Sequence, residues 1–282
     1  MRKCRILSVA SLVLMMILSF SADAQTQQKT EKKKRRGEIY FSWGYNKEWY
    51  TRSNLKISQP DLGNNFTFKS IKGHDHPGWD EGIFSRALTI PQYNYRLGYF
   101  FGNKGDWGFE INFDHTKYIF EDNQMVHIKG TIGNKAVDEK VLFKDNPVPG
   151  ADSSSYYYLN NGANFLLFNI MKRWNLLNNK KETIKIDGIS KFGIGPLFPH
   201  VENKFFDQSA NRSDFQFGGW NTGLEGAVRA TFYKYVYLEF AGKLDYARYS
   251  HLHIYNGSAR QAFGTAEIIL SLGITVPTGK KK

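Results

Sequence analysis

The stretch WGFEINFDH, Trp107 to His115, alternates without a break. Trp107, Phe109, Ile111 and Phe113 share one parity, and Gly108, Glu110, Asn112 and Asp114 share the other. Successive side chains of a β-strand point to opposite faces, so this segment is a strand with one oily face and one acidic or amide face. Which of the two faces meets water decides the class of protein.

The same pattern recurs in segments separated by Asn/Gly/Lys/Asp-rich turns, roughly 38–50, 91–102, 107–120, 156–174, 182–203, 214–232, 235–254 and 259–277. Ile39, Phe41, Trp43 and Tyr45 oppose Ser42, Gly44 and Asn46. Leu238, Phe240 and Leu244 oppose Glu239, Lys243 and Asp245. A soluble sandwich also alternates, with its apolar face inward. Three features favour the inverted case. Connections 102–106, 175–181 and 233–234 are short, whereas 51–90, 121–155, 204–213 and 255–258 are mostly longer, the asymmetry of outer-membrane barrels. Charges of both signs occupy mid-strand polar positions: Arg96, Glu110, Asp114, Arg173, Asp187, Glu225, Arg229, Glu239, Lys243 and Glu267 can neutralise one another in a narrow lumen. Aromatics such as Trp43, Tyr93, Trp107, Trp174, Phe232 and Tyr235 gather at strand ends, where an interfacial girdle sits. The expected fold is all-β: a single antiparallel up-and-down transmembrane β-barrel of about eight strands over 38–277, with short periplasmic turns and long extracellular loops.

Residues 1–24 read as a secretory signal peptide: Arg2, Lys3 and Arg5, then the apolar run Leu7 to Phe20, then Ala22-Asp23-Ala24. The only cysteine, Cys4, leaves with it, so disulfides and thiol chemistry are excluded from the exported chain. The net charge of +12 invites a nucleic-acid reading. Removing the signal takes away three positive charges and one negative, leaving +10, and the runs Lys32–Arg36 and Lys280–Lys282 hold eight of these. The folded part is nearly neutral. The basic tails, 25–37 and 278–282, are solvated or meet anionic lipid on the periplasmic side. Nucleic acid is not an expected partner.

The runs IPQYNYRLGYFFGNKGDWGFEINFDHTKYIF (90–120), FGIGPLFPHVENKFF (192–206) and QAFGTAEIILSLG (261–273) resemble small OmpA-like eight-stranded barrels, and more closely a group of outer-membrane barrel proteins of Bacteroidetes-type bacteria. The resemblance implies an architecture and an outer-membrane address, with lipid and lipopolysaccharide as surroundings, and no activity. One departure is the C-terminus: such barrels typically end on an aromatic residue, whereas here Val276 is followed by Pro277-Thr278-Gly279 and three lysines.

All seven histidines, His74, His76, His115, His127, His200, His251 and His253, fall in outer halves of strands or in outer loops. In GHDHPGWDEG (73–82), His74, His76, Asp80 and Glu81 bring imidazole and carboxylate into one loop, making it a candidate binding loop, with ligand types that also suit a divalent ion. Two ligands on one side of an extended segment do not make a metal site, so neither metal nor cofactor is expected. YSHLHIYNGS (249–258) followed by Glu267 is similar to the His-x-Ser-Asn and Glu pattern of outer-membrane lipid A deacylases. Tyr255 stands where their nucleophilic serine belongs, and a phenol is a poor acyl acceptor. Alternating parity aims both His253 and Glu267 at the lumen. The segments 65–73, 125–133 and 135–143 read as strand pieces that extend the walls as hairpins. Two readings stay open: a non-enzymatic barrel with a plugged lumen that binds a ligand or partner through its loops, or an outer-leaflet lipid acyl hydrolase using His253 and Glu267.

Overall fold

The computed structural model describes residues 37–76, 92–102, 106–143, 155–179, 183–206 and 208–278. The signal segment, the basic tails apart from Gly37 and Thr278, and Asp80 and Glu81 lie outside these. Among the described residues there are seventeen strands, one three-residue 3-10 turn and no helix long and apolar enough to cross a membrane. In chain order the strands are β1 (Gly37–Tyr50), β2 (Ser53–Gln59), β3 (Asn64–Ile71), β4 (Gly73–His74), β5 (Tyr93–Phe100) and β6 (Trp107–Asp114). Then come β7 (Tyr118–Phe120), β8 (Gln124–Ile132), β9 (Lys135–Phe143), β10 (Tyr156–Leu159), β11 (Phe165–Asn178) and β12 (Ile184–Leu197). The last five are β13 (Glu202–Lys204), β14 (Asn211–Arg212), β15 (Gly219–Phe232), β16 (Val236–Ile254) and β17 (Gly257–Thr278).

The all-β antiparallel expectation holds, with more strands than sequence periodicity resolves. Antiparallel neighbours run β1-β5-β6-β11-β12-β15-β16-β17, and β17 pairs back onto β1 from Gly37↔Thr278 to Tyr50↔Thr265. The wall is one residue out, one residue in. On β6, Trp107, Phe109 and Ile111 are exposed outward while Gly108, Glu110, Asn112 and Asp114 are buried. Ile39, Phe41, Leu97, Phe168, Ile170, Phe192, Ile194, Leu238, Phe240, Leu270, Leu272 and Ile274 continue the exposed apolar band around the outside. All ten charged residues assigned inward from parity are buried.

Inside, charge meets charge. Arg96 Nη1 lies 3.3 Å from Glu110 and 3.0 Å from Glu225, and its Nη2 lies 3.6 Å from Asp114. Lys191 Nζ reaches Glu110, Glu225 and Glu239 at 2.9, 3.0 and 3.1 Å. Arg229 pairs with Glu239 at 2.6 Å and lies over the rings of Tyr40 and Tyr237 at 4.1 and 4.0 Å. Lys243 holds Asp114 at 2.5 Å and Asp245 at 3.2 Å. Near the β1 start, Arg173 pairs with Glu38 and Asp106.

The chain segments between wall strands are themselves structured. β2, β3, β8 and β9 join edge to edge onto the first half of β17, so the expected hairpins do lengthen the wall. A second sheet, β14-β13-β10-β7-β4, faces them. Leu55, Ile57, Phe66, Phe68, Phe120, Val126, Ile128, Tyr157, Leu159, Phe205 and Phe263 form one fully buried apolar cluster drawn from both sheets. Many of its aromatic rings meet edge-on or tilted, as with Phe66 and Phe68 at 5.2 Å and Phe120 and Tyr157 at 4.9 Å, while Tyr157 and Phe205 stack at 6.5 Å. An ordinary dry core therefore caps an ionic shaft. The expected long connection at 255–258 is instead a two-residue turn, Tyr255-Asn256, with Asn256 in the left-handed region that Asn tolerates.

Two glycines on the inner face make room for large rings. Gly98 faces Tyr40 across the β1–β5 pair, and a Cβ there meets the Tyr40 ring; Gly273 stands in the same relation to Tyr237. Tyr40 donates to Glu110 at 2.5 Å, so its ring cannot retreat without breaking into the ion network. Gly98→Val is expected to destabilise the fold by about 1–3 kcal/mol, as overpacking does. Urea unfolding measures this, and a Gly98→Val protein as stable as the parent removes the inference.

Candidate functional site at the top of the wall

Three of the wall strands expected from sequence are each broken in two. The segment 107–120 leaves the ring after Asp114 and resumes as β7, 156–174 breaks between β10 and β11, and 182–203 breaks between β12 and β13. At each break the strand peels away from the wall into the small sheet. The peel points are tied together by backbone: Ala163 N–H donates to Thr116 O at 2.7 Å, His200 N–H to Gly162 O at 3.0 Å, and Phe198 N–H to Asn164 O at 3.1 Å. Asn164, at a left-handed φ of 39°, makes the turn.

A cleft of about 720 Å³ opens at this junction, lined by His76, Tyr93, His115, Lys117, Asn160, Asn161, His200, Arg212, Asp214 and Phe215. Each break contributes: His115 and Lys117 from the first, Asn160 and Asn161 from the second, His200 from the third. His115 stacks on Tyr93 with centroids 4.6 Å apart and an interplanar angle of 14°. Asn164 Nδ2 donates to Phe198 O, which makes its Oδ1 the acceptor for His115 Nδ1–H at 2.8 Å. Burial pushes the His115 imidazole down to about 4, opposed by the Asn164 hydrogen bond and reinforced by the Lys117 ammonium. Burial also lowers His200, against the pull of Glu202. Arg212 Nε donates to His200 Nε2 at 3.5 Å and lies 3.4 Å from Glu202. Near neutral pH the His115 ring is thus an uncharged hydrogen-bonding group.

The residues singled out in the sequence fare unevenly. His76 lines the cleft, its backbone N–H donating to Gln92 and its Nδ1 3.4 Å from Asn160. His74 points to solvent, hydrogen-bonded to the Asp75 carbonyl, and Asp75 itself is held by Lys47 at 2.6 Å. Among the described residues no three His, Cys, Asp or Glu side chains gather as a metal site.

His253 requires a correction. The pairing of β16 with β17 shifts register between Tyr249 and Leu252, with His251 at φ 57°. This bulge inverts the parity beyond it: Leu252 and Ile254 face the core, and His251 and His253 are exposed outside. Glu267 stays inside, 3.8 Å from Lys243, opposite it in register and ten positions below His253. At about 3.3 Å per residue the two lie roughly 30 Å apart along the strand, on opposite sides of the wall. They do not form a base and its orienter. The cleft residues Lys117, Asn160, Asn161, Arg212 and Asp214 were missed by sequence reasoning, and no local motif marks them.

No family model matches the sequence, and no curated protein matches it. Similar solved structures include the outer membrane protein OprG from Pseudomonas aeruginosa, at 10% identity over 86% of this chain and 98% of that one, with a TM-score of 0.40. Outer membrane protein AlkL, determined by solid-state NMR in DMPC bilayers, is similar at 9% identity over 92% and 99%, with a TM-score of 0.32. Ail of Yersinia pestis, in complex with the heparin analogue sucrose octasulfate, is similar at 11% identity over 86% and 99%, with a TM-score of 0.28. Scores this low leave the chain's own geometry as the ground for statements about its role.

The neutral state of His115 generates a pH prediction. Its folded value of about 4 lies below the ordinary 6.5, so between those limits the unfolded segment binds more protons. Stability of the cap is full above pH 6.5 and falls as pH drops toward 4, by on the order of 2 kcal/mol at pH 4.5. The His115 ring protons are expected to titrate with a midpoint near pH 4, with amide exchange in β7 rising over the same interval. A midpoint near 6.5 contradicts the buried, neutral ring.

Proposed function

We propose that this chain is a bacterial outer-membrane protein whose eight ring-paired strands form a transmembrane barrel with a plugged lumen, and that it acts without catalysis, through its outer cap. The observation that carries the reading is the inverted sidedness of the wall. Through the middle of the ring strands its outward parity is apolar, with Lys47, Lys172 and Arg248 the outward cations toward strand ends, and its inward parity holds buried acidic and basic side chains. Such a wall is unfavourable in water and favourable in hydrocarbon, where backbone groups must all be paired and a sheet achieves this by closing on itself. The pairing of β17 with β1 supports that closure. The strand-and-turn stretches resembling Bacteroidetes-type barrels agree with the address.

A plugged lumen follows from the same side chains. An eight-stranded barrel has an interior just wide enough for side chains, and here Arg96, Lys191, Arg229 and Lys243 interlock with six carboxylates below a dry apolar core. The cap, built from the segments above the apolar band and carrying the 720 Å³ cleft, is then the part presented outward for recognition.

Two measurements test this. Trp107 and Trp220, 48% and 42% exposed on the outward parity, are expected to be strongly quenched when the protein sits in bilayers of brominated lipid. Recovery of the processed chain as a water-soluble monomer without detergent overturns the membrane placement. In planar bilayers no discrete open-channel steps are expected, and regular steps in the parent protein overturn the plug. Arg96→Met leaves Glu110, Asp114 and Glu225 short of a cation and is expected to cost about 3–5 kcal/mol, read as a lower urea midpoint in vesicles.

A further inference from the structure

The cleft's position and lining specify what it can hold. On the outer face of the wall, Phe41 stacks on Tyr95 at 6.1 Å, Tyr95 meets Tyr93 at 5.2 Å, and Tyr93 stacks on His115 at 4.6 Å. This aromatic column climbs β1, β5 and the end of β6 and finishes at the cleft. The cleft therefore opens where the apolar band stops, at the level of lipid head groups if the wall spans a membrane.

Its chemistry is neither that of an apolar pocket nor that of a metal site. Lys117 and Arg212 supply two cations, the Asn160 and Asn161 amides and the Asp214 carboxylate supply partners for hydroxyls, and two imidazoles are held toward the neutral form. Phe215, 60% exposed, presents its ring beside His200 at 5.3 Å, a flat apolar platform of the kind a pyranose C–H face covers. His200 is 8% exposed at its side chain, and its Nδ1, 3.7 Å from Glu202 Oε1, lies beyond hydrogen-bond distance of any partner. A buried polar atom without a hydrogen bond, on a residue that lines a polar cleft, costs stability unless a ligand or solvent meets it. A volume near 720 Å³ falls within the ~300–1,000 Å³ usual for small-molecule sites.

We propose that the cleft is a binding site for a phosphorylated sugar, with Lys117 and Arg212 on the anionic group, the Asn160, Asn161 and Asp214 side chains on ring hydroxyls, and Phe215 under the ring. The chemistry is shared by two sources, the head group of an outer-leaflet glycolipid and a free sugar phosphate. This deepens the cap-recognition reading above and depends on the membrane placement only for the first source.

The test uses the full processed protein in phosphatidylcholine nanodiscs, with glucosamine 6-phosphate, glucosamine and inorganic phosphate as soluble probes. The readout is the NMR shift of the His115 and His200 ring protons. Saturable binding of glucosamine 6-phosphate is expected, at least tenfold weaker for each of the other two probes. Arg212→Ala, at a side chain 67% exposed and so harmless to folding, is expected to weaken it tenfold or more, and Lys117→Met to do the same. A second arm replaces a tenth of the nanodisc lipid with phosphorylated lipid A and follows its retention by native mass spectrometry. Retention that Arg212→Ala abolishes supports the lipid source, and soluble-probe binding without lipid A retention supports the free one. No shift with any probe and no retention, or binding unchanged in Arg212→Ala and Lys117→Met alike, overturns the site. Failure of the barrel reading shows separately, as a chain that stays soluble without lipid.

Discussion

A guanidinium fully enclosed by protein is the interaction on which the rest of this structure depends. Arg96 lies inside the wall with Glu110, Asp114 and Glu225 around it, and neither the cation nor any of the three carboxylates reaches solvent to a useful degree. A buried charge is tolerable only when paired and hydrogen-bonded. Placing one at the centre of β5 commits the neighbouring inward positions on β6 and β15 to acids, and those acids in turn commit Lys191 on β12 and Lys243 on β16. Once one parity of each strand is committed to charge, the other parity carries nearly all the oily side chains. An apolar exterior is then the by-product of an ionic interior, which is the ground on which the proposed membrane placement rests.

The cap solves the opposite problem by opposite means. Above the ion network the same strands turn ordinary: β16 and β17 carry Ala247, Tyr249, Ala259 and Phe263 inward, packed on apolar residues of the second sheet. Two interiors of different chemistry are stacked in one tube. One interior is an aromatic and aliphatic cluster, the other a lattice of ion pairs.

Much of the wall was legible because a strand's side chains repeat every two residues and the ring pairs hold that repeat over long stretches. All ten charged positions read as inward from parity are inward. Lys191 escaped because Ile189 and Leu197, on the same parity, blur the alternation of β12. The bulge at Tyr249–Leu252 was invisible for a sharper reason. One extra residue costs the sequence pattern nothing locally and reverses every later side chain, which is how His253 came to be placed in the lumen. The three peel points were hidden likewise. Tyr118 and Phe120 alternate with the same period as β6 but on the opposite phase, apolar on the parity that carries Glu110 and Asp114, so the period by itself does not show that their strand has left the ring.

Those hidden breaks are also why the cleft lies where it does. β16 and β17 run for 19 and 22 residues and continue unbroken from the shaft into the cap, whereas β5 and β6 stop after eight. On the long side the wall and cap share one continuous hydrogen-bonded sheet, leaving no seam. On the short side the strands end early, and His115, Asn160, Asn161 and His200 fall at segments whose backbone pairs irregularly from strand to strand. Irregular backbone turns side chains out of strict alternation, so groups from three separate segments can converge there. A regular barrel wall offers only one row of side chains per face. Convergent chemistry in this architecture is therefore confined to the side where the strands run short, and strand length, more than any motif, decides where this chain can recognise anything.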